Sequence, residues 1–238
     1  LDICRSLPED ARIRIKVDGE RALVSSGRSR FTLGTLPAAN FPSMELGDED
    51  LRFEAPAEML KRVLEKTAFA MANQDVRYYL NGLLLELDGQ HLVAVATDGH
   101  RLAKLVTELP TDVPQEAEAR QVIVPAKTVM ELKRLLPSDE QSVVVELSSR
   151  NLRVSFDSRV LSSKLVDGRY PEYGRVIPMD LPRAAVMNKE MLRAALQRTA
   201  ILSSEKYKGV RVSFGPNSLG LQAQNPEKES AEDEIEID

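Results

Sequence analysis

At 238 residues, 42% of them hydrophobic, the chain is long enough for one large domain or two ordinary ones with real cores. The formal charge is −5, but residues 227–238 alone carry seven acidic side chains and one lysine; the remainder balances 31 basic against 30 acidic groups, so a strongly basic nucleic-acid binder is not indicated. No apolar run is long enough to span a bilayer, no secretory signal is present, and the single cysteine, Cys4, cannot form an internal disulfide, which points to a reducing cytoplasm.

The chain begins at Leu1 with the end of a helix, closed by Pro8. Ile13, Ile15 and Val17 then alternate as one face of a strand, and Asp18-Gly19-Glu20 turns the chain into a second strand, Ala22 to Ser25. A third runs from Ser29 to Leu36 and ends at Pro37. A lead-in strand, Arg52 to Ala55, and an amphipathic helix, Glu58 to Ala68, precede three strands: Leu83–Leu87, Leu92–Ala96 and Leu102–Val106. Helix Thr128–Leu136, closed by Pro137, is followed by strands Val143–Leu147, Leu152–Phe156 and Arg159–Val166. Another lead-in strand, Ala185 to Met187, then gives way to a helix from Glu190 to Ala200, with Asn188 as its N-cap. The closing run Glu234 to Asp238 reads as a strand that stops without a turn, so both ends look interrupted and the chain reads as a fragment.

This order is a repeat. Leu7-Pro8 matches Leu136-Pro137, Ser29-Arg30 matches Ser158-Arg159, and Phe41-Pro42 matches Tyr170-Pro171, all at a spacing of 129. A second unit type pairs Glu58 to Ala68 with Glu190 to Ala200, then Gly82–Leu85 with Gly209–Val212, and Leu92–Asp98 with Leu219–Asn225. Such helix-plus-sheet half-units cannot each hide an apolar face alone and must pack side by side. Lysine and arginine recur on the helices: Lys61, Arg62 and Lys66; Lys127, Lys133 and Arg134; Lys189, Arg193 and Arg198. Solvated basic faces are common, but the same decoration on three related helices suits one surface turned to phosphates.

Two segments concentrate polar and aromatic residues at one end of the first three-strand unit. Gln74, Arg77, Tyr78 and Tyr79 precede one strand, while Thr97-Asp98-Gly99-His100-Arg101 links the next two. Asp98 and His100 offer an acid–base pair, against the simpler reading of Asp98-Gly99 as a hairpin turn with His100 and Arg101 opening the next strand. In extended structure Tyr78 and Tyr79 point to opposite sides, leaving at least one exposed for nucleic acid or a partner peptide. No metal-ligand cluster, phosphate-cradling glycine loop or nucleophile elbow is present, and no cofactor is indicated.

QDVRYYLNG at 74–82, ATDGHRLA at 96–103, SKLVDGRYPEY at 163–173, GRSRFTLGTLPAANFP at 27–42 and AILSSEKYKGVR at 200–211 together resemble the bacterial beta sliding clamp family, the beta subunits of DNA polymerase III. The resemblance spans essentially the whole chain in family order. It implies an α+β DNA-clamp fold of repeated helix-plus-antiparallel-sheet half-units that forms a ring. Residues 1–47 are then the second half of a first domain, 48–180 a complete middle domain, and 181–238 the first half of a third.

The family does no chemistry. Its head-to-tail homodimeric ring encircles duplex DNA without sequence preference and tethers the replicative polymerase, which makes synthesis processive. The resemblance places Gln74, Tyr78 and Tyr79 at the DNA-contacting edge, with Lys127 nearby; Ala126 stands where relatives often have a second basic residue. Replicative polymerase, clamp loader and repair proteins dock short peptides with glutamine and leucine or phenylalanine anchors. By resemblance the groove uses Arg77, Leu80, Thr97, Gly99, His100, Arg101 and Leu102, with Pro171, Arg175 and Val176. Ring closure would pair an edge carrying Arg28, Arg30 and Phe31 with one carrying Ile201, Leu202, Glu227, Glu229 and Glu232, giving the acidic tail a basic partner in place of solvent. The alternatives are a hydrolase built on Asp98 and His100, and an interaction module that never meets DNA.

Overall fold

The structure is a computed structural model that describes residues 1–41, 51–110, 120–204 and 208–237. The Pro42 end of the Phe41-Pro42 match, and Glu205, Lys206 and Tyr207 of the 200–211 motif, lie outside the described residues. Contacts divide the chain into two compact units, Leu1–Pro171 and Glu172–Asp238.

The first unit opens with α1 (Asp2–Ser6) and an antiparallel meander of β1 (Arg14–Asp18), β2 (Arg21–Ser26) and β3 (Ser29–Gly34). Then come β4 (Leu51–Pro56), α2 (Ala57–Thr67), β5 (Gly82–Asp88), β6 (His91–Thr97) and β7 (Leu102–Glu108). The last run is β8 (Arg120–Pro125), α3 (Ala126–Leu135), β9 (Ser142–Leu147), β10 (Asn151–Phe156) and β11 (Arg159–Lys164). The second unit holds α4 (Lys189–Ala200), β12 (Arg211–Gly215), β13 (Ser218–Gln224) and β14 (Ser230–Glu236).

Proline sets both strand-to-helix junctions of the middle region. Pro56 ends β4 and Pro125 ends β8, each with φ near −60°, and α2 and α3 start at the next residue. A fixed φ and a missing N–H suit a residue that leaves a ladder and enters a first helical turn. Asn188 caps α4 as the sequence predicts, its side-chain oxygen accepting from the Glu190 and Met191 amides.

Strand order reveals how the half-units complete each other. The sheets run β7-β6-β5-β8 and β11-β10-β9-β4, so β4 leaves the first half-unit to join the sheet of the second, and β8 makes the reverse exchange. Helices α2 and α3 turn Val63, Leu64, Val129 and Leu132 onto one core shared by both sheets. The flanking half-units have only three strands, β1-β2-β3 and β12-β13-β14, and no strand plays the β4 or β8 part for them among the described residues. Ile15 and Val17 on β1 are 65% exposed, and Phe214 on β12 is 68% exposed.

The repeat holds with three corrections. The hairpins Ser26–Ser29 and Phe156–Arg159 correspond at a spacing of 130, so the match of Ser29 to Ser158 is one residue out of register. Gly27 and Asp157 occupy the same turn position there, with φ of 55° and 52°. Ala185 to Met187 does not form a strand: β4, its counterpart, is held only by β9, and no strand equivalent to β9 lies beside it among the described residues. Finally, β7 begins at Leu102, so His100 and Arg101 lie in a loop and do not open the strand. Elsewhere the repeat is close: β6 and β13 coincide at a spacing of 127, and Thr67 and Thr199 are both buried with their hydroxyls donating to the carbonyl four residues earlier.

Candidate functional site

The sheet β7-β6-β5-β8 brings the two polar segments to one end, because β5 starts there at Gly82 while β6 ends at Thr97 and β7 starts at Leu102. The 98–101 loop is held by its own side chains. The Asp98 carboxylate accepts the His100 amide at 2.9 Å and the Arg101 amide at 3.0 Å, and it pairs with Arg101 Nε at 3.1 Å. These bonds, led by the His100 amide, pull the Asp98 pKa below its usual value. Thr97 closes the base: its hydroxyl accepts from the Gly99 amide at 3.0 Å and donates to the Arg101 carbonyl at 2.7 Å.

The carboxylate of Asp98 thus engages the backbone of His100, not its ring. The arrangement is a turn, not an acid–base pair.

The preceding segment is folded around Asp75. Its carboxylate receives Arg77 Nε at 3.0 Å, Arg77 Nη2 at 2.8 Å and the Arg77 amide at 2.8 Å. The Arg77 bonds, the side-chain ones first, hold the Asp75 carboxyl down at about 2. Asn81 clamps the same residue by exchanging hydrogen bonds with the Asp75 backbone, and the Asn81 carbonyl in turn accepts from Ala126 at the start of α3. Lys127, exposed on the first turn of α3, is therefore joined through Ala126 and Asn81 to the segment that carries Gln74.

Arg77 links the two segments. Its Nη2 reaches the Asp98 carbonyl at 3.3 Å, and a Cβ on Gly99 would stand 3.2 Å from both terminal guanidinium nitrogens. With φ at +89°, Gly99 lies where glycine alone is comfortable, so backbone shape and the approach of Arg77 both require it.

Tyr78 and Tyr79 are not extended. They occupy a 3-10 turn, Tyr78–Leu80, with their rings edge to face at a centroid distance of 5.7 Å. Tyr78 is exposed, Tyr79 half-buried, and Gln74 exposed with a positive φ of 56°.

Among the predicted groove residues, Thr97 and Leu102 are half-buried, Gly99, His100, Arg101 and Pro171 exposed, and Leu80 buried in the core. Arg175 and Val176 belong to the second unit, in the turn Tyr173–Val176, where Arg175 pairs with Glu172 and Val176 is exposed. Arg28 and Arg30 are exposed and Phe31 half-buried on β3 and its turn, at an outer edge of their sheet. Glu227, Glu229 and Glu232 are exposed on and before β14, also an outer edge, with Ile201 exposed and Leu202 half-buried after α4.

The basic helix faces are partly committed within the fold. Lys61 binds the Leu136 carbonyl and Ser138, Arg134 pairs with Glu131, Arg193 with Glu190, and Arg198 with Asp233. Arg62, Lys66 and Lys127 remain exposed.

Sequence reasoning missed Asp75, Asn81, Phe69 and Tyr170 as parts of the site. Asp75 and Asn81 stand inside the quoted 74–82 motif, and Tyr170 inside the 163–173 motif. Phe69 carries no comparable signal, yet the Arg101 guanidinium lies 5.7 Å from its ring centroid. No helix among the described residues is long and apolar enough to cross a membrane, and no cluster of side chains there suits a metal ion.

The chain matches the N-terminal domain of the DNA polymerase III beta subunit over residues 1–45, the central domain over 54–172 and the C-terminal domain over 174–238. It is 48% identical over 238 residues to the beta sliding clamp of Pseudomonas putida, covering all of this chain and 64% of that protein. The beta sliding clamp of Escherichia coli K12 is 46% identical over 236 residues, with 99% and 63% covered. Among solved structures, a DNA polymerase sliding clamp from Pseudomonas aeruginosa with ligand has a TM-score of 0.88 at 46% identity, covering 100% of this chain and 64% of that one. A Bartonella birtlesii clamp bound to griselimycin has a TM-score of 0.87 at 37% identity, covering 99% and 64%. The chain belongs to the DNA polymerase III beta subunit family, the bacterial beta sliding clamps, and spans about 64% of the length of these relatives.

Proposed function

We propose that this chain forms part of a sliding clamp, a head-to-tail dimeric ring that encircles duplex DNA and tethers the replicative DNA polymerase for processive synthesis, without catalysis of its own. The observation that carries this reading is the pair of open outer edges: β3, bearing Arg28 and Arg30, and β14, bearing Glu232 and preceded by Glu227 and Glu229. Pairing of β3 from one subunit with β14 of the next joins opposite charges and removes two exposed strand edges at once. Residues 1–47, 48–180 and 181–238 are assigned to successive domains of that ring, with the protein acting in the bacterial cytoplasm.

Gln74, Tyr78, Tyr79 and Lys127 are assigned to DNA. Exposed aromatic and basic groups of this kind make loose phosphate and stacking contacts, which hold register without reading sequence. Client peptides from the polymerase, clamp loader and repair proteins are assigned to Arg77, Leu80, Thr97, Gly99, His100, Arg101, Leu102 and Pro171, with Arg175 and Val176 in the same role. Leu80 acts there from the core as support for the wall, and Arg77 acts chiefly as a strut.

The test uses the full-length protein. A photocrosslinker at Tyr79 should attach to DNA, while His100→Ala should weaken binding of a peptide with glutamine and leucine anchors. Absence of any crosslink would favour an interaction module that never meets DNA, and a hydrolytic turnover lost in His100→Ala would favour an enzyme.

A further inference from the structure

Tyr170 is the one buried tyrosine among those described, 4% exposed, and it immediately precedes Pro171. Its hydroxyl accepts the backbone amide of Thr97 at 3.0 Å. The reason lies in sheet register. The last pair between β5 and β6 is Leu84 with Val95, while Thr97 extends two residues further to pair with Leu102 on β7. The Thr97 amide therefore lies beyond the end of the β5 ladder, and a half-buried amide needs another acceptor. Tyr170 supplies it from a different part of the chain.

Thr97 is also the residue whose hydroxyl fastens both Gly99 and Arg101. One buried phenol thus joins the base of the 98–101 loop to the segment that continues into Pro171. A buried phenol resists ionisation, and burial pushes Tyr170 up to about 12, so it stays a neutral hydrogen-bonding group throughout the physiological range.

We propose that Tyr170 is a positioning residue of the client-peptide groove: its hydroxyl holds the Thr97–Leu102 loop and Pro171 at a fixed separation before any peptide arrives. This rests on the assignment of those residues to peptide binding. Preorganisation of this kind lowers the ordering cost of binding, so its loss appears mainly as faster peptide release. The aromatic ring packs without the hydroxyl, which makes phenylalanine the diagnostic replacement.

The experiment compares full-length wild type with Tyr170→Phe, using a fluorescent peptide with glutamine and leucine anchors. Peptide dissociation should accelerate about five- to tenfold, the scale of one net hydrogen bond. Amide exchange should rise at Thr97 and Gly99, while crosslinking from Tyr79 to DNA stays unchanged. Equal dissociation rates in the two proteins, with wild type binding normally, would overturn the proposal. So would an exchange increase spread evenly over the whole domain, which marks general destabilisation. A wild-type protein that does not bind the peptide overturns the groove assignment itself, and the role of Tyr170 in it.

Discussion

Arg77 engages its guanidinium with Asp75 and the Asp98 carbonyl, so in the proposed peptide groove it acts through the shape of the loop it supports. Replacing it with alanine should lower client-peptide affinity by about tenfold, measured by fluorescence anisotropy, because the 98–101 loop loses its outer brace. Gly99→Ala tests the same contact from the other side. A left-handed φ costs a side chain about 1–2 kcal/mol, and the new methyl meets the guanidinium, so the melting temperature should fall by several degrees. Asp75 adds a pH signature. Its carboxyl is depressed from 3.8 to about 2, so the stability it lends is complete above 3.8 and is lost as pH falls through 2. An NMR titration should show the Asp75 carboxyl ionised at pH 3, and in Arg77→Ala, which keeps the backbone amide bond but loses both side-chain bonds, its titration should move back toward the ordinary carboxylate value. At this scale the sequence displayed which polar and aromatic residues stand in the two loops at one end of the sheet. It hid their partners: Asp75 and Arg77 stand two apart in a segment that no periodic pattern describes, and the Tyr170–Thr97 bond joins residues far apart in the chain.

Helices and strands follow local patterning and were largely legible. The continuous apolar run Leu92 to Ala96 marked β6, Asn188 marked the start of α4, and recurring helix–strand blocks marked the repeat. The exchange of β4 and β8 between half-units was not legible, because a strand's own pattern does not name its neighbour. Its consequence shows at Ala185 to Met187, where a segment with strand-like residues has no partner strand among the described residues and forms no strand. The Tyr78–Leu80 turn was missed for a different reason: tyrosine favours strands, but the Asp75–Asn81 clamp and the bond from Leu80 to the Arg77 carbonyl tighten the backbone there. Edge strands carry the prediction that belongs to this scale. Reversing Arg28 and Arg30 to glutamate should weaken dimerisation of the full-length protein about tenfold by sedimentation. Reversing Glu227, Glu229 and Glu232 to lysine in the same protein should restore most of it. The effect should shrink as salt is raised.

For the whole molecule, a nearly balanced body and a basic surface partly neutralised by its own acids argue against tight electrostatic capture of DNA. On the proposed clamp, the exposed Arg62, Lys66 and Lys127 would make contacts that form and break along the duplex. Under the proposed function, retention comes from topology, with DNA threaded through a closed ring. That is the central claim, and the most direct measurement is retention of the full-length protein, loaded by a clamp loader, on closed circular DNA before and after a single cut. The account predicts that the protein remains on the circle in moderate salt and departs once the DNA is linearised. Equal retention on circular and linear DNA would contradict it.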